Sequence, residues 1–245
     1  LDIATNTLIR VENPPVDLHG RKEAVYRVRT EGRNPAEFLP DGETQSIASV
    51  DDETVAVTVT ALEPPKNVQR SRNEQQEFLG STQFLQANDS RVQEHARRAT
   101  AGSTDVGTIA VRMEQYVYKE LKKKNFSTAL ASAAEVAKSL EGDCTEHACL
   151  LAAMLRVENI PSRVAVGLVY AERYGAFGGH MWTEAWLDGK WVPLDATLGK
   201  GGIGAGHIKL ADSSFADDGP APVTSFVPLM NMLSNVTIHV VSTDR

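Results

Sequence analysis

Apolar positions recur with period two early in the chain and with a period near 3.6 in its middle. Ala24-Val25-Tyr26-Arg27-Val28-Arg29 and Thr54-Val55-Ala56-Val57-Thr58-Val59-Thr60 alternate as half-buried strands do. Asn13-Pro14-Pro15, Leu39-Pro40-Asp41-Gly42 and Glu63-Pro64-Pro65 punctuate these runs as turns. Residues 1–72 therefore read as a small β-rich accessory domain, sandwich-like, whose role is packing rather than substrate recognition. Residues 73–245 read as a second domain. In it Asn88-Asp89 opens one helix and Ser103-Thr104-Asp105 another, with Ile109, Met113, Tyr116, Val117 and Leu121 on one face. Lys122-Lys123-Lys124 suits the negative end of that helix's dipole. Ser132-Ala133-Ala134-Glu135 is a capping box for a short helix ending near Leu140-Glu141-Gly142.

A further helix starts at Cys144, is apolar through Leu150, Leu151, Met154 and Leu155, and stops before Ile160-Pro161. Strands follow over 163–170, 180–187 and 190–195, then loops over 199–206 and 211–222, and a closing strand over 235–242. The loops 171–179 and 199–207 are expected to frame a cleft, with His207 a solvated loop residue.

Leu187-Asp188-Gly189-Lys190 is a two-residue hairpin signal. If Leu187 pairs with Lys190, Trp182 falls opposite Asp195, and His180, Trp182 and Asp195 share one face. Asp195 is then diagonal to His180, with Cα atoms roughly 7–8 Å apart, a gap their side chains close. Cys144, at a helix start, feels the positive end of the helix dipole, which favours a thiolate. Amide groups at the same helix start are placed to hold an oxyanion. A thiol, an imidazole and a carboxylate in this order suggest a nucleophile, its base and the orienter of that base. Trp182 reads as a wall of the site that contacts substrate. Two other arrangements stand beside this one. His147, three residues after Cys144, is a possible base without an evident orienter, and Cys144, His147, Cys149 and His180 are a possible zinc set without the paired spacing structural zinc prefers.

The totals fit this reading. The 245 residues are 42% hydrophobic with net charge −7, which argues against a broad nucleic-acid footprint. No apolar run approaches the roughly 20 residues that span a bilayer, so no membrane insertion is expected. Cys144 and Cys149, five residues apart on one helix, are too distant to bridge, and Cys149 reads as a core residue. The glycine-rich stretch 199–206 lacks a phosphate-binding pattern. The first residue, Leu1, reads as a trimmed or processed start.

Three blocks in order resemble the transglutaminase-like (transglutaminase-core) superfamily: Gly142-Asp143-Cys144-Thr145-Glu146-His147-Ala148, then Ile160-Pro161-Ser162-Arg163-Val164-Ala165-Val166-Gly167, then Gly179-His180-Met181-Trp182-Thr183-Glu184-Ala185-Trp186 with Trp191-Val192-Pro193-Leu194-Asp195-Ala196-Thr197. The blocks span 142–197, with looser similarity over 75–210. The first 72 residues resemble, more weakly, accessory domains of bacterial members.

The resemblance implies an α+β, papain-like fold in which a helix bearing the Cys packs on an antiparallel sheet bearing the His and Asp. It assigns the roles of nucleophile, base and orienter to Cys144, His180 and Asp195. It implies an acyl-thioester passed to water, as in peptidases and amidases, or to an amine, as in crosslinking; some relatives have lost the nucleophile, and a binding or scaffold module with a vestigial site is the alternative reading of this chain. Hydrolysis is the favoured outcome, on a protein or peptide substrate, without cofactor or metal, and a secreted or periplasmic setting is favoured over a cytoplasmic one. Two departures stand out. No Trp precedes Cys144 as the second oxyanion donor, for which Gln115 and Asn125 are the weak substitutes, and no Ca²⁺ loop of the calcium-dependent animal enzymes is present.

Overall fold

The computed structural model describes residues 8–12, 14–15, 17–69, 74–123, 130–233 and 235–244. Two antiparallel sheets and a group of helices make up the described chain. The larger sheet runs β1 (Ile9–Arg10), β6 (Ala176–Leu187), β5 (Ser162–Ala171), β8 (His207–Ser213), and β7 (Lys190–Leu194) also pairs with β6. The smaller sheet runs β3 (Gln45–Asp51), β4 (Thr54–Thr60), β2 (Glu23–Thr30), β9 (Val236–Thr243). The predicted alternation is realised in it: Ala24, Tyr26 and Val28 of β2 and Val55, Val57 and Val59 of β4 are buried. Its fourth strand, β9, comes from the far end of the chain, so the sheet of the first seventy residues is completed by the last ten.

The two sheets are joined by specific contacts. The Tyr26 hydroxyl donates to the Ala205 carbonyl at 2.6 Å, and its ring meets Phe177 edge-on at 5.4 Å. Such an aromatic pair adds about 1 kcal/mol beyond its buried area. Gln45 pairs with the backbone of Lys209 through both its amide nitrogen and its oxygen, at 3.0 and 2.9 Å.

Helices α1 (Ser90–Thr100), α2 (Val106–Glu120) and α3 (Ala133–Ser139) surround α4 (Cys144–Val157), which also packs on β6 and β5. Every residue of α4 from Thr145 to Arg156 is buried, so it is the central helix of the fold. Its start is set by a capping box: the Asp143 side chain accepts from the Thr145 N–H, and Glu146 accepts from the Asp143 N–H at 2.9 Å. Gly142 fits because a Cβ there would lie 2.2 Å from that of Glu146. At the other end Arg156 donates to the carbonyls of Gly80, Ser162 and Ser214, tying three separate segments to the helix. A last helix, α5 (Val227–Leu233), precedes β9. No helix among the described residues is long and apolar enough to cross a membrane.

The hairpin takes the register its turn predicts. Asp188 and Gly189 have φ of 52° and 75°, as a type I′ turn requires at both central residues. Leu187 pairs with Lys190, and the ladder runs on to Thr183 and Leu194. Asp195 is the next residue, one step beyond the last rung.

The expected loop at 171–179 is not one. A 3₁₀ turn over Glu172–Tyr174 leads directly into β6, whose first residues Ala176 and Phe177 pair with β5 on one side and β1 on the other. The stretch 199–206 has no regular structure but is tied down. Glu114 receives the N–H groups of Gly201 and Gly202 at 2.5 and 3.3 Å, and the Ala205 N–H donates to the Arg21 carbonyl at 2.9 Å.

Candidate active site

His180 lies on β6 opposite Gly167 of β5, and Asp195 follows the end of β7. Both are essentially inaccessible to solvent. The His180 Nε2–H donates to Asp195 Oδ2 at 2.9 Å, so the diagonal contact required by the hairpin register is made. Asp195 Oδ1 is held separately by the Thr197 N–H at 2.8 Å and the Thr197 hydroxyl at 2.7 Å. Oδ2 accepts a second donor, the Nε2–H of His207, at 3.0 Å. Among the described residues, the carboxylate is thus occupied by four donors and faces no acceptor, which fits an anion.

Electrostatics separate the two imidazoles. Burial opposes a charge on His180, yet the charges of Asp195 and Cys144 and hydrogen bonds to both raise it to about 10. Burial alone dominates at His207 and lowers it, so this ring is neutral near pH 7 with its proton on Nε2. Asp195 is disfavoured as an anion by burial, but His180 and His207 hold it well below the ordinary carboxylate range. The remaining nitrogen of His180, Nδ1, is buried without a hydrogen-bond partner, and Cys144 is near enough to contribute to the raised value of the ring.

Cys144 is half-buried at the first turn of α4, and Cys149 is fully buried in the core; both thiols are free. Asp143, the cap just before Cys144, is raised to about 6, first by burial and then by its hydrogen bond and repulsion with Glu146. His147 does not turn toward the trio: its Nδ1–H donates back to the Asp143 carbonyl at 2.6 Å. Trp182 shares the face of His180. Its ring lies nearly parallel to the imidazole at 6.4 Å and edge-on to His207 at 5.2 Å. Gly167 makes room for it, since a Cβ there would lie 2.9 Å from the indole. Trp182 is 2% exposed, and its Nε1–H is buried without a partner.

Two residues at the site escape the sequence reading. His207 is no solvated loop residue: it is the buried first residue of β8 and a ligand of Asp195. Glu114 of α2 is fully buried and accepts the Asp195 N–H at 3.0 Å, besides the two glycine N–H groups. Burial pushes Glu114 up to about 8, helped by the charge of Asp195 and opposed by those three N–H groups. Of the two weak candidates for a second oxyanion donor, Gln115 is exposed on α2 beside Gly201, and Asn125 lies outside the described residues.

His180, Asp195 and His207 also bring one nitrogen or oxygen each within 4.8 Å of one another, a spacing compatible with a metal. These atoms already bond to each other directly through protons on both Nε2 atoms, so the donors are satisfied as they stand.

A sequence model described as the transglutaminase-like superfamily matches residues 93–196, a span that includes Cys144, His180 and Asp195. No protein of curated function matches the sequence. Among solved structures, a "putative cysteine protease" from Cytophaga hutchinsonii is similar over 91% of this chain and 86% of its own, at 15% identity and a TM-score of 0.56. The periplasmic domain of TgpA from Pseudomonas aeruginosa is similar over 73% of this chain and 91% of its own, at 15% identity and a TM-score of 0.42. Red sea bream transglutaminase is similar over 84% of this chain and 49% of its own, at 11% identity and a TM-score of 0.40. The first of these extends a shared fold to nearly the whole chain, including the smaller sheet. Residues 93–196 thus match the transglutaminase-like superfamily.

Proposed function

We propose that the protein is a thiol-dependent acyl-transfer enzyme acting on amide bonds of proteins or peptides, with Cys144 as nucleophile, His180 as base and acid, and Asp195 as orienter. The observation that carries this reading is the bond from His180 Nε2 to Asp195 Oδ2 at 2.9 Å, which fixes the tautomer and leaves Nδ1 for Cys144. Cys144 gives its proton to His180 Nδ1, and Sγ, as the thiolate beside that imidazolium, attacks the carbonyl carbon. The tetrahedral oxyanion collects at the amide groups of the first turn of α4. Collapse breaks the C–N bond, and His180 Nδ1 returns the proton to the leaving nitrogen. Water, deprotonated by the same nitrogen, then attacks the thioester, releasing the acid and the Cys144 thiol. Throughout, Nε2 keeps its hydrogen and donates it to Asp195 Oδ2.

We favour water over an amine as acceptor. A screen of peptide amides with and without a primary amine decides between hydrolysis and crosslinking by mass spectrometry of the products. Loss of all turnover in Cys144→Ala supports the reading. Full turnover in that variant, on a substrate the wild type processes, would sink it. A vestigial binding module is the outcome in which Cys144 reacts with iodoacetamide no faster than expected of an ordinary thiol and His180→Ala changes nothing.

A further inference from the structure

We infer that His207 is a positioning residue of this site: its neutral Nε2–H holds Asp195 Oδ2 against His180 and limits how tightly Asp195 retains the proton of His180. The inference rests on the triad reading above. It starts from a shared atom. Oδ2 accepts from His180 at 2.9 Å and from His207 at 3.0 Å, and a carboxylate can only accept, so both Nε2 atoms carry hydrogens. The tautomer of His207 is thereby fixed, and its Nδ1 is left buried and unpartnered. A protonated Nδ1 there would be a buried, unpaired N–H on a cation, which burial disfavours. His207 therefore contributes a hydrogen bond without a positive charge.

The neighbours of His207 keep it in that state. His180 and Trp182 of β6 stand at 5.9 and 5.2 Å between ring centres, and a charge on His180 repels one on His207. On the far side, His19, from the 3₁₀ turn Leu18–Gly20, meets His207 edge-on at 5.5 Å. The Nε2–H of His19 donates to the Tyr170 carbonyl at 2.7 Å, and burial, with repulsion from His207 and Lys200, lowers this ring to about 4. His19 is thus also neutral near pH 7. Glu114 acts from α2 on the Asp195 backbone, and Cys144 is among the groups that raise His180. Asp195 then meets two imidazoles of opposite character. One exchanges a proton with Cys144; the other fixes the shared oxygen and draws off part of its charge.

A donor removed from Oδ2 leaves more of the carboxylate's charge to His180. His180 then holds its proton to higher pH, and returns it less readily to a leaving group. The experiment is the pH profile of iodoacetamide labelling at Cys144, which needs no substrate. The alkaline inflection of that profile reports loss of the His180 proton. In His207→Phe the inflection moves up by about one pH unit, a tenfold change in proton affinity. In His207→Gln, which retains a side-chain N–H donor, it stays near the wild-type position. A role confined to packing lowers the melting temperature and leaves the inflection in place; an unmoved inflection in folded His207→Phe overturns the inference. Should that variant not fold, nitrogen NMR of the wild type decides, because His207 Nδ1 must remain unprotonated through the range in which an ordinary imidazole titrates. A His207 that titrates inside that range overturns it as well. His180→Ala separates the two levels: if it leaves labelling unchanged, the triad reading falls whatever His207 does, and if it abolishes the inflection while His207→Phe moves nothing, only the present inference falls.

Discussion

Two buried carboxylates near the β6–β7 hairpin are held in opposite ways. Glu184 accepts from Arg163 and Lys209, both at 2.7 Å, and Asp212 takes the same two cations at 3.1 and 2.8 Å. Two positive and two negative charges close on each other, and the Arg163 guanidinium lies 4.1 Å over the Trp191 ring. Asp195 meets no Lys or Arg side chain; it meets two imidazoles, a hydroxyl and a backbone N–H. The atoms left over differ too. Of the five buried, unpartnered polar side-chain atoms among the described residues, four belong to His180, His207, His19 and Trp182, and none to the Glu184 square. A structural ion cluster consumes its own bonding capacity. A site keeps some open, at a cost of about 1–3 kcal/mol for each buried donor or acceptor left unsatisfied.

The sharpest way to break this comparison is at the open end. Cys144→Ala is expected to lower turnover by roughly 10⁴-fold or more, by analogy with removal of other nucleophiles. Asp195→Asn should cost about 10²–10⁴-fold, because an amide can offer a donor where only an acceptor fits and so favours the wrong tautomer of His180. Activity should persist well above the ordinary histidine range and fall only as His180 loses its raised proton. Steady-state rates against pH read all three, and retention of activity by either variant removes Asp195 from its distinction over Glu184.

At the closed end the effect should fall on stability. Glu184→Gln leaves Arg163 and Lys209, at 13% and 12% side-chain exposure, with one carboxylate between them. Breaking a buried pair this way costs about 3–5 kcal/mol. Urea unfolding measures that loss, while the pH profile of Cys144 labelling should be unchanged. A shifted profile would mean that the two carboxylates form one network.

The closed and open ends differed in how readable they were. The Asp188-Gly189 turn set the register that brings His180 to Asp195, and the Asp143/Glu146 box set the start of α4 at Cys144; both are local patterns. His207 and Glu114 meet Asp195 from β8 and α2, twelve and 81 residues away, and no local pattern encodes such a meeting. A trace was present all the same. Ala110, Met113, Glu114 and Val117 form an i, i+3, i+4, i+7 stripe that is wholly buried, so a carboxylate occupied a core position of α2. His207-Ile208-Lys209-Leu210 also alternates as a strand does, which the preceding glycines obscured. The β9 strand paired across the whole chain with β2, a partner choice that alternation alone does not specify.

Glu114 offers the next test, because it is a third buried carboxylate with only N–H partners. Its folded value, about 8, lies above the unfolded value near 4.5. A raised carboxyl contributes stability that is fully present below the unfolded value and is lost as pH rises through the folded one. Wild-type stability relative to Glu114→Gln should therefore decline between about pH 4.5 and 8, by about 1.4 kcal/mol per pH unit at most. Denaturant midpoints at several pH values give that slope. A flat difference means that the three N–H groups hold Glu114 ionised throughout, and that α2 presents a second fixed anion to Asp195.

The smallest effect is expected at Trp182, and it bears on what the open atoms are for. Trp182→Phe removes an N–H that has no partner and keeps an aromatic ring beside His180. Relief of the unmet donor offsets the smaller ring's lost packing, so stability should change by no more than about 1 kcal/mol. If the indole N–H is held open for a substrate carbonyl, KM rises several-fold while kcat changes little, since such a bond is made equally in the ground and transition states. A fall in kcat at constant KM would instead place the N–H on charge that develops during the reaction. Unchanged kinetics would make Trp182 a packing residue, and the unpartnered atoms around Asp195 would then serve the imidazoles alone.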